Sequence, residues 1–221
     1  MPRYALNIKG LPYKTEWLSF TGVEPKMKEL GLAAQGGPLL YTIPTIYDPN
    51  NDKIVTESFA IAKYLDQAYP DTPRLVMPGA AGFQEAYLEK VVSPLLNMII
   101  PSIAMPVFEE CCIDDADRAY VRDTREKWFG RKFEDMEWKR EAMTAASEAF
   151  KVALDAIAVH VATNGPGAVF VTGDAPSHID AAVASILLCV LKMLGKEHAF
   201  ARVILEHSWA KKYLGTMSRW E

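Results

Sequence analysis

The sequence predicts a small α/β unit followed by an all-α domain, and three observations carry that reading. The strongest chain breakers concentrate at Pro70-Asp71-Thr72-Pro73, Pro78-Gly79 and Gly82, which marks a boundary near residues 70–82. Before it, short runs of helical and β character alternate. After it, the apolar spacing is close to 3.6 residues and no strand pair is evident. At 221 residues, 50% apolar and 24% charged, the chain has the length for one large or two small domains and too much apolar content for intrinsic disorder.

The elements follow in order. Arg3–Lys9 reads as the end of a helix stopped by Gly10, Tyr13–Phe20 is strand-like, and Glu24–Leu30 is a short helix closed by Gly31. Tyr41–Tyr47 and Lys53–Thr56 are rich in β formers, and the turn cluster Asp48-Pro49-Asn50-Asn51-Asp52 between them predicts a hairpin. Glu57–Ala68 turns helical, with Phe59, Ala62 and Leu65 on one face. Beyond the boundary, Phe150, Leu154, Ile157 and Val161 form a single helical stripe. Ile179–Leu194 is apolar nearly all round, which predicts a central helix buried on every side. Helix stops are expected at Pro101, Gly165 and Gly195. The expected division is a first domain at 1–72, a linker at 73–82 and an all-helical domain at 83–221.

Charge and cysteine content exclude several function classes. Lys and Arg number 24 against 28 Asp and Glu, for a net charge of −4, so there is no global positive field for a phosphate backbone and nucleic acid is not expected as a partner. The 3 cysteines, Cys111, Cys112 and Cys189, are an odd number in a chain too large to need disulfide staples, which fits a reducing compartment. The longest apolar stretch, Ala181–Leu191, is about half of the ~20 residues of a membrane span. No apolar targeting segment or lipidation signal stands at either end of the sequence. A soluble cytoplasmic protein, with no membrane partner, is the expectation.

Two short segments have the residue types of a binding site. In Thr42-Ile43-Pro44-Thr45-Ile46, a proline sits in a β run where it cannot donate to a ladder. It is either an ordinary trans edge proline or a cis one, and the cis form turns the preceding N–H and C=O outward to an extended peptide. In Thr56-Glu57-Ser58, a β run passes into a helix. Either side chain satisfies orphan N–H groups as a cap, or Ser58 and nearby N–H groups take a carboxylate while Glu57 takes an ammonium. Ser177-His178-Ile179-Asp180 reads as a capping box before the apolar helix, a role in folding.

Other residues give weaker signals. Cys111-Cys112 lacks the Cys-x-x-Cys spacing and lies among Glu109, Glu110, Asp114 and Asp115, which disfavours a thiolate; Cys189 reads as a core residue. The histidines at 160, 178, 198 and 207 have no ligand spacing, so no metal is expected. Trp128, Phe129, Phe133 and Trp138, interleaved with Lys and Arg, read either as the packed face of an amphipathic helix or as the wall of an apolar ligand site. Met98–Pro106 reads as a proline-kinked core helix or as a lining of such a pocket facing Ile43 and Pro44.

Taken together, Ile43-Pro44, Glu57-Ser58-x-Ala60-Ile61-x-x-Tyr64-Leu65 and the Ser177–Asp180 box resemble the cytosolic glutathione transferases. Arg3–Trp17 looks more narrowly like the fungal A-class transferases of wood-decay basidiomycetes, relatives of bacterial β-etherases. The resemblance implies a thioredoxin-like α/β first domain that binds glutathione, here lacking its first strand, and an all-α carboxy-terminal domain that forms the pocket for an aromatic ligand. It also implies that the backbone of Ile43 meets the cysteinyl part of glutathione, that Pro44 is cis, and that Glu57 and Ser58 hold the γ-glutamyl group. In the family, the residue that hydrogen-bonds the glutathione sulfur precedes the helix at Arg3–Lys9, so it has no counterpart here and no catalytic residue is carried over.

The function expected from the resemblance is conjugation of glutathione to aromatic electrophiles, or cleavage of ethers with it, by a homodimer. In such enzymes the thiolate is the nucleophile, and one hydrogen bond to it lowers its pKa by roughly one or two units. Binding of glutathione without efficient turnover is expected where that bond is missing. The alternatives are a non-enzymatic carrier of phenolic compounds and, more remotely, a protein-association domain.

Overall fold

A computed structural model describes residues 2–36, 39–136 and 139–221. The amino-terminal part holds α1 (Pro2–Lys9), α2 (Val23–Glu29), the strands β1 (Thr45–Asp48) and β2 (Lys53–Thr56), and α3 (Ser58–Ala68). The strands pair antiparallel, Thr45 opposite Thr56 and Asp48 opposite Lys53, and form the one sheet among the described residues. Asp48 organises this hairpin. Its carboxylate accepts from the Asn50 N–H at 3.0 Å, Asn51 Nδ2 at 2.9 Å, Tyr64 Oη at 2.6 Å and Tyr69 Oη at 2.8 Å. Tyr64 lies on α3 and Tyr69 caps its end, so one buried carboxylate fastens the turn to the following helix. Burial alone would raise its pKa, but the four donors outweigh burial and hold it at about 2.

The strand expected at Tyr13–Phe20 does not form. Residues 11–19 follow an irregular course, and Trp17 is 79% exposed. A strand persists only where its N–H and C=O groups meet a ladder, and among the described residues β1 and β2 pair only with each other. The β run of 41–47 likewise contracts, because pairing begins after Pro44, which has no N–H to give.

The carboxy-terminal part is helical: α4 (Ala81–Tyr87), a π-helical turn (Leu88–Val92), α5 (Ser93–Glu110), α6 (Asp115–Phe129), α7 (Arg140–Ala162), α8 (His178–Leu194), α9 (Ala199–Glu206) and α10 (Ser208–Met217). Pro101 does not stop a helix, contrary to expectation. α5 runs through both Pro101 and Pro106 with Leu95, Ile99 and Pro101 buried, because core packing on α8 outweighs the lost backbone bonds. The continuous run Ala81–Glu110 passes for a membrane span by length and composition alone. Its core-facing Leu95 and Ile99 are fully covered, while 28% of the apolar window is buried inside the fold. α8 ends at Gly195, where φ is +73°, and α7 ends at Ala162, three residues before Gly165 with φ +116°.

One apolar core spans both parts. Tyr4, Ala5 and Ile8 of α1, Ile61 and Leu65 of α3, the α7 stripe Phe150, Leu154, Ile157 and Val161, and most of α8 belong to it. α8 is enclosed over its first seven residues, but Ser185, Leu188, Cys189 and Leu191 are only half-buried, so it is not covered on every side. The connection between the parts is stapled by polar bonds. Lys9 Nζ reaches Asp66 Oδ1 at 2.8 Å and the Pro73 carbonyl at 3.1 Å, Asp66 accepts from the Leu75 and Val76 N–H groups, and the Leu75 carbonyl accepts from the His178 N–H at 2.9 Å. A second tie is Asp117 of α6, fully buried, which accepts from the Thr21 N–H at 2.9 Å and Thr21 Oγ1 at 2.7 Å.

Candidate functional site

The site is built where the segment before β1 meets the corner between β2 and α3. The Ile43–Pro44 peptide is cis, and the Ile43 side chain is 62% exposed. On the other arm of the hairpin stands Glu57, a non-glycine residue at φ +70°, which follows β2 and precedes the first residue of α3. The sequence allowed Glu57 or Ser58 to act as a helix cap. Neither does: no side chain caps α3, and the Glu57 carbonyl begins the helix by accepting from the Ile61 N–H at 2.8 Å. The first turn of α3 therefore offers unshared N–H groups beside the half-buried Ser58.

The two arms are joined by side chains that the sequence reading did not single out. Thr42 Oγ1 lies 2.9 Å from Gln35 Oε1 and 3.2 Å from Glu57 Oε1, so its single proton is shared between them. Gln35 Nε2 donates to Glu57 Oε1 at 3.1 Å and to Thr56 Oγ1 at 3.3 Å. Gln35, Thr42 and Thr56 also line a cavity of about 230 Å³ together with Met27, Leu32 and Tyr41. A single glutamine in a loop carries no sequence signal, because its partners are brought to it only by the hairpin. The Gln35 N–H also donates to the Leu40 carbonyl at 2.7 Å.

Ser177 and Asp180 lie apart from this cradle, at the start of α8. Ser177 Oγ accepts from the Ile179 N–H at 3.1 Å and Asp180 Oδ2 accepts from the Ser177 N–H at 2.9 Å, a reciprocal box that supports the helix. Burial pushes the Asp180 carboxyl up to about 6, against the bonds it accepts from Val171 and Ser177. His178 between them is 1% exposed and packs, tilted, against Phe59 of α3, with ring centroids 5.6 Å apart. Burial holds its imidazole down at about 4.

The remaining candidates disperse. Phe129 and Phe133 pack into a satellite cluster with Phe20, Phe108 and Met136. Trp128 stacks on Phe129 with centroids 5.1 Å apart and remains 45% exposed. Because α6 ends at Gly130, this aromatic set straddles a helix end rather than one amphipathic helix, and Trp138 lies outside the described residues. Met98–Pro106 lines neither described cavity. Cys111 is exposed at the end of α5, while burial pushes the Cys112 and Cys189 thiols up. Among the described residues, no group of His, Cys, Asp and Glu is placed to hold a metal.

A larger cavity of about 370 Å³ opens in the helical part, walled by Phe83, Tyr87, Val91, His160 and Ile179. Tyr87 Oη and His160 Nδ1 lie 3.2 Å apart at its edge.

Two family models match the chain, one described as the N-terminal domain of glutathione S-transferase over residues 1–68 and one described as the C-terminal domain over residues 80–220. The glutathione S-transferase-like protein ustS of Aspergillus flavus is 27% identical over 196 residues, which cover 84% of this chain and 70% of that protein. The crystal structure of glutathione transferase GSTFuA3 from Phanerochaete chrysosporium matches with a TM-score of 0.87 at 31% identity, over 100% of this chain and 88% of that one. A glutathione S-transferase of Ceriporiopsis subvermispora, crystallised in complex with glutathione, matches with a TM-score of 0.88 at 27% identity, over 99% of this chain and 88% of that one.

Proposed function

The chain belongs to the glutathione S-transferase family, and on that premise we propose that residues 1–72 bind glutathione and residues 83–221, beyond a linker at 73–82, receive a hydrophobic aromatic co-substrate. In this reading the Ile43 N–H and C=O pair with the cysteinyl residue of the tripeptide, in the manner of a strand added to an edge, with Pro44 shaping the arm that presents them. Ser58 and the open first turn of α3 take the γ-glutamyl carboxylate, where hydroxyl and helix dipole both favour negative charge. Glu57 takes the ammonium.

The observation that carries the reading is the joining of the two arms: exposed Ile43 adjoins Thr42, whose hydroxyl lies 3.2 Å from Glu57 Oε1, and Glu57 adjoins uncapped Ser58. A peptide with an extended backbone and a zwitterionic end matches that set of groups. With glutathione so held, the reaction is attack of its thiolate, the thiol proton having passed to solvent, on an electrophilic carbon of an aromatic compound or ether, the leaving group departing with the bonding pair. The residues named here bind and orient, and none is assigned to stabilising the thiolate.

A second reading, a carrier of aromatic or phenolic compounds, is favoured by the cavity of about 370 Å³, whose wall of Phe83, Tyr87, Val91, His160 and Ile179 contains no carboxylate and no ammonium. In both readings we place the protein in the cytoplasm as a homodimer; the free thiols of Cys111, Cys112 and Cys189 suit a reducing compartment.

Calorimetric titration with glutathione tests the proposal. Saturable binding is expected, weakened about tenfold or more in Glu57→Gln and in Ser58→Ala, since a hydrogen bond to a charged group is worth ~1.5–3 kcal/mol. Absence of binding by the unmodified chain, or unchanged affinity in both variants, overturns it. Turnover of chloronitrobenzene by the bound complex separates the enzyme from the carrier.

A further inference from the structure

Gln35 stands at the centre of the cradle without belonging to either of its arms. Its side-chain amide meets Thr42, Thr56 and Glu57 at 2.9, 3.3 and 3.1 Å. The orientation of the amide follows from chemistry: an ionised carboxylate only accepts, so Nε2 faces Glu57, and Oε1 is then left to accept from Thr42. Both hydrogen bonds to Glu57 fall on Oε1, and Oε2 takes none among the described residues. The Gln35 amide proton, together with the Thr42 proton that Glu57 shares with Gln35 Oε1, holds one carboxylate oxygen and leaves the other directed to a ligand. Because Glu57 sits at φ +70°, a conformation that L side chains seldom adopt, its direction depends on being held from outside its own backbone.

We propose that Gln35 is the positioning residue of this site and that, with Thr42, it makes Glu57 a reader of a ligand's α-ammonium group. This rests on the glutathione-binding reading above, in which Glu57 meets the ammonium of the γ-glutamyl end, and adds to it the residue that aims the carboxylate there. Gln35 does not touch the ligand in this scheme and acts through the carboxylate.

The test compares two ligands, glutathione and its des-amino analogue glutaryl-cysteinyl-glycine, by titration calorimetry against the full chain. Gln35→Leu is expected to weaken glutathione about tenfold, at the lower end of what a hydrogen bond to a charged group is worth. The same variant leaves the analogue, which has no ammonium, within about twofold of its original affinity. Thr42→Val, which keeps the side-chain volume, is expected to give the same selective loss and serves should Gln35→Leu fail to fold. Gln35→Glu sets a second carboxylate against Glu57, so its glutathione affinity becomes pH-dependent and recovers on acidification. An equal loss for both ligands, or no loss in a chain that binds glutathione, overturns the inference. A chain that binds neither ligand before substitution overturns the functional reading itself, an outcome distinct from the first two.

Discussion

The Lys9 ammonium, with no exposed side-chain surface, lies 2.8 Å from Asp66 Oδ1 and so bonds α1 to α3 beneath the connection to the helical part. Asp66 also accepts from the Leu75 and Val76 N–H groups, which makes this pair the anchor of the linker as well. Removing one partner of a buried pair leaves the other charge uncompensated.

Lys9→Met is therefore expected to cost about 3–5 kcal/mol. For a chain of this size that lowers the midpoint of thermal unfolding by ~6–20 °C. Asp66→Asn, which can still accept from the linker N–H groups, is expected to cost less. Circular dichroism melts decide it, and a Lys9→Met midpoint equal to that of the unmodified chain refutes the anchor.

Acid should act on the hairpin through Asp48. Its folded pKa of about 2 lies below the ordinary 3.8, so its contribution is present above pH 3.8 and disappears as the pH falls through 2. The shift corresponds to about 2 kcal/mol. Asp48→Asn should lose that amount at pH 7 and show a shallower acid limb in urea titrations at pH 2–4. Parallel acid limbs for the two proteins would contradict it.

His178 gives a second pH signature with the opposite origin. Its imidazole is held at about 4 against an ordinary 6.5, so the unfolded chain binds the proton first and stability falls as the pH drops from 6.5 toward 4. Asp180, raised to about 6 from 3.8, loses stability as the pH rises through that same range. The two slopes oppose each other between pH 4 and 6, and the profile there should be nearly level. In His178→Leu only the Asp180 slope remains, so the variant gains about 2 kcal/mol relative to the unmodified chain on going from pH 8 to pH 5. Denaturant midpoints at the two pH values measure this; an unchanged difference would show that His178 is not the group responsible.

The Ile43 side chain points largely to solvent, and the proposed contact uses its backbone. Ile43→Ala should change glutathione affinity by less than about threefold, whereas Ser58→Ala should change it about tenfold or more. A reversed order in calorimetry would move the contact from the main chain to the side chain.

Most of the fold was legible because it rests on local periodicity. The α7 stripe at Phe150, Leu154, Ile157 and Val161 and the hairpin around Asp48–Asp52 follow from spacing and turn chemistry, and both appear in the structure. The strand expected at Tyr13–Phe20 failed because β propensity becomes a strand only with a partner, which no local pattern supplies. The helix through Pro101 was misread for the converse reason, since burial against α8 compensates a local defect. At the site, Ile43, Pro44, Glu57 and Ser58 stood out as residue types at suggestive places, whereas Gln35 did not.

By itself, the sequence determined the hairpin, the apolar stripe of α7 and the capping box before α8, because each depends on residues within a few positions of one another. The tertiary structure alone decided that Thr42 and Glu57 share a proton-bearing contact, that Gln35 bridges them, and that Lys9 meets Asp66. Those contacts join residues 15, 22 and 57 positions apart, and the chain folding back on itself, rather than any local preference, brings them within hydrogen-bond reach.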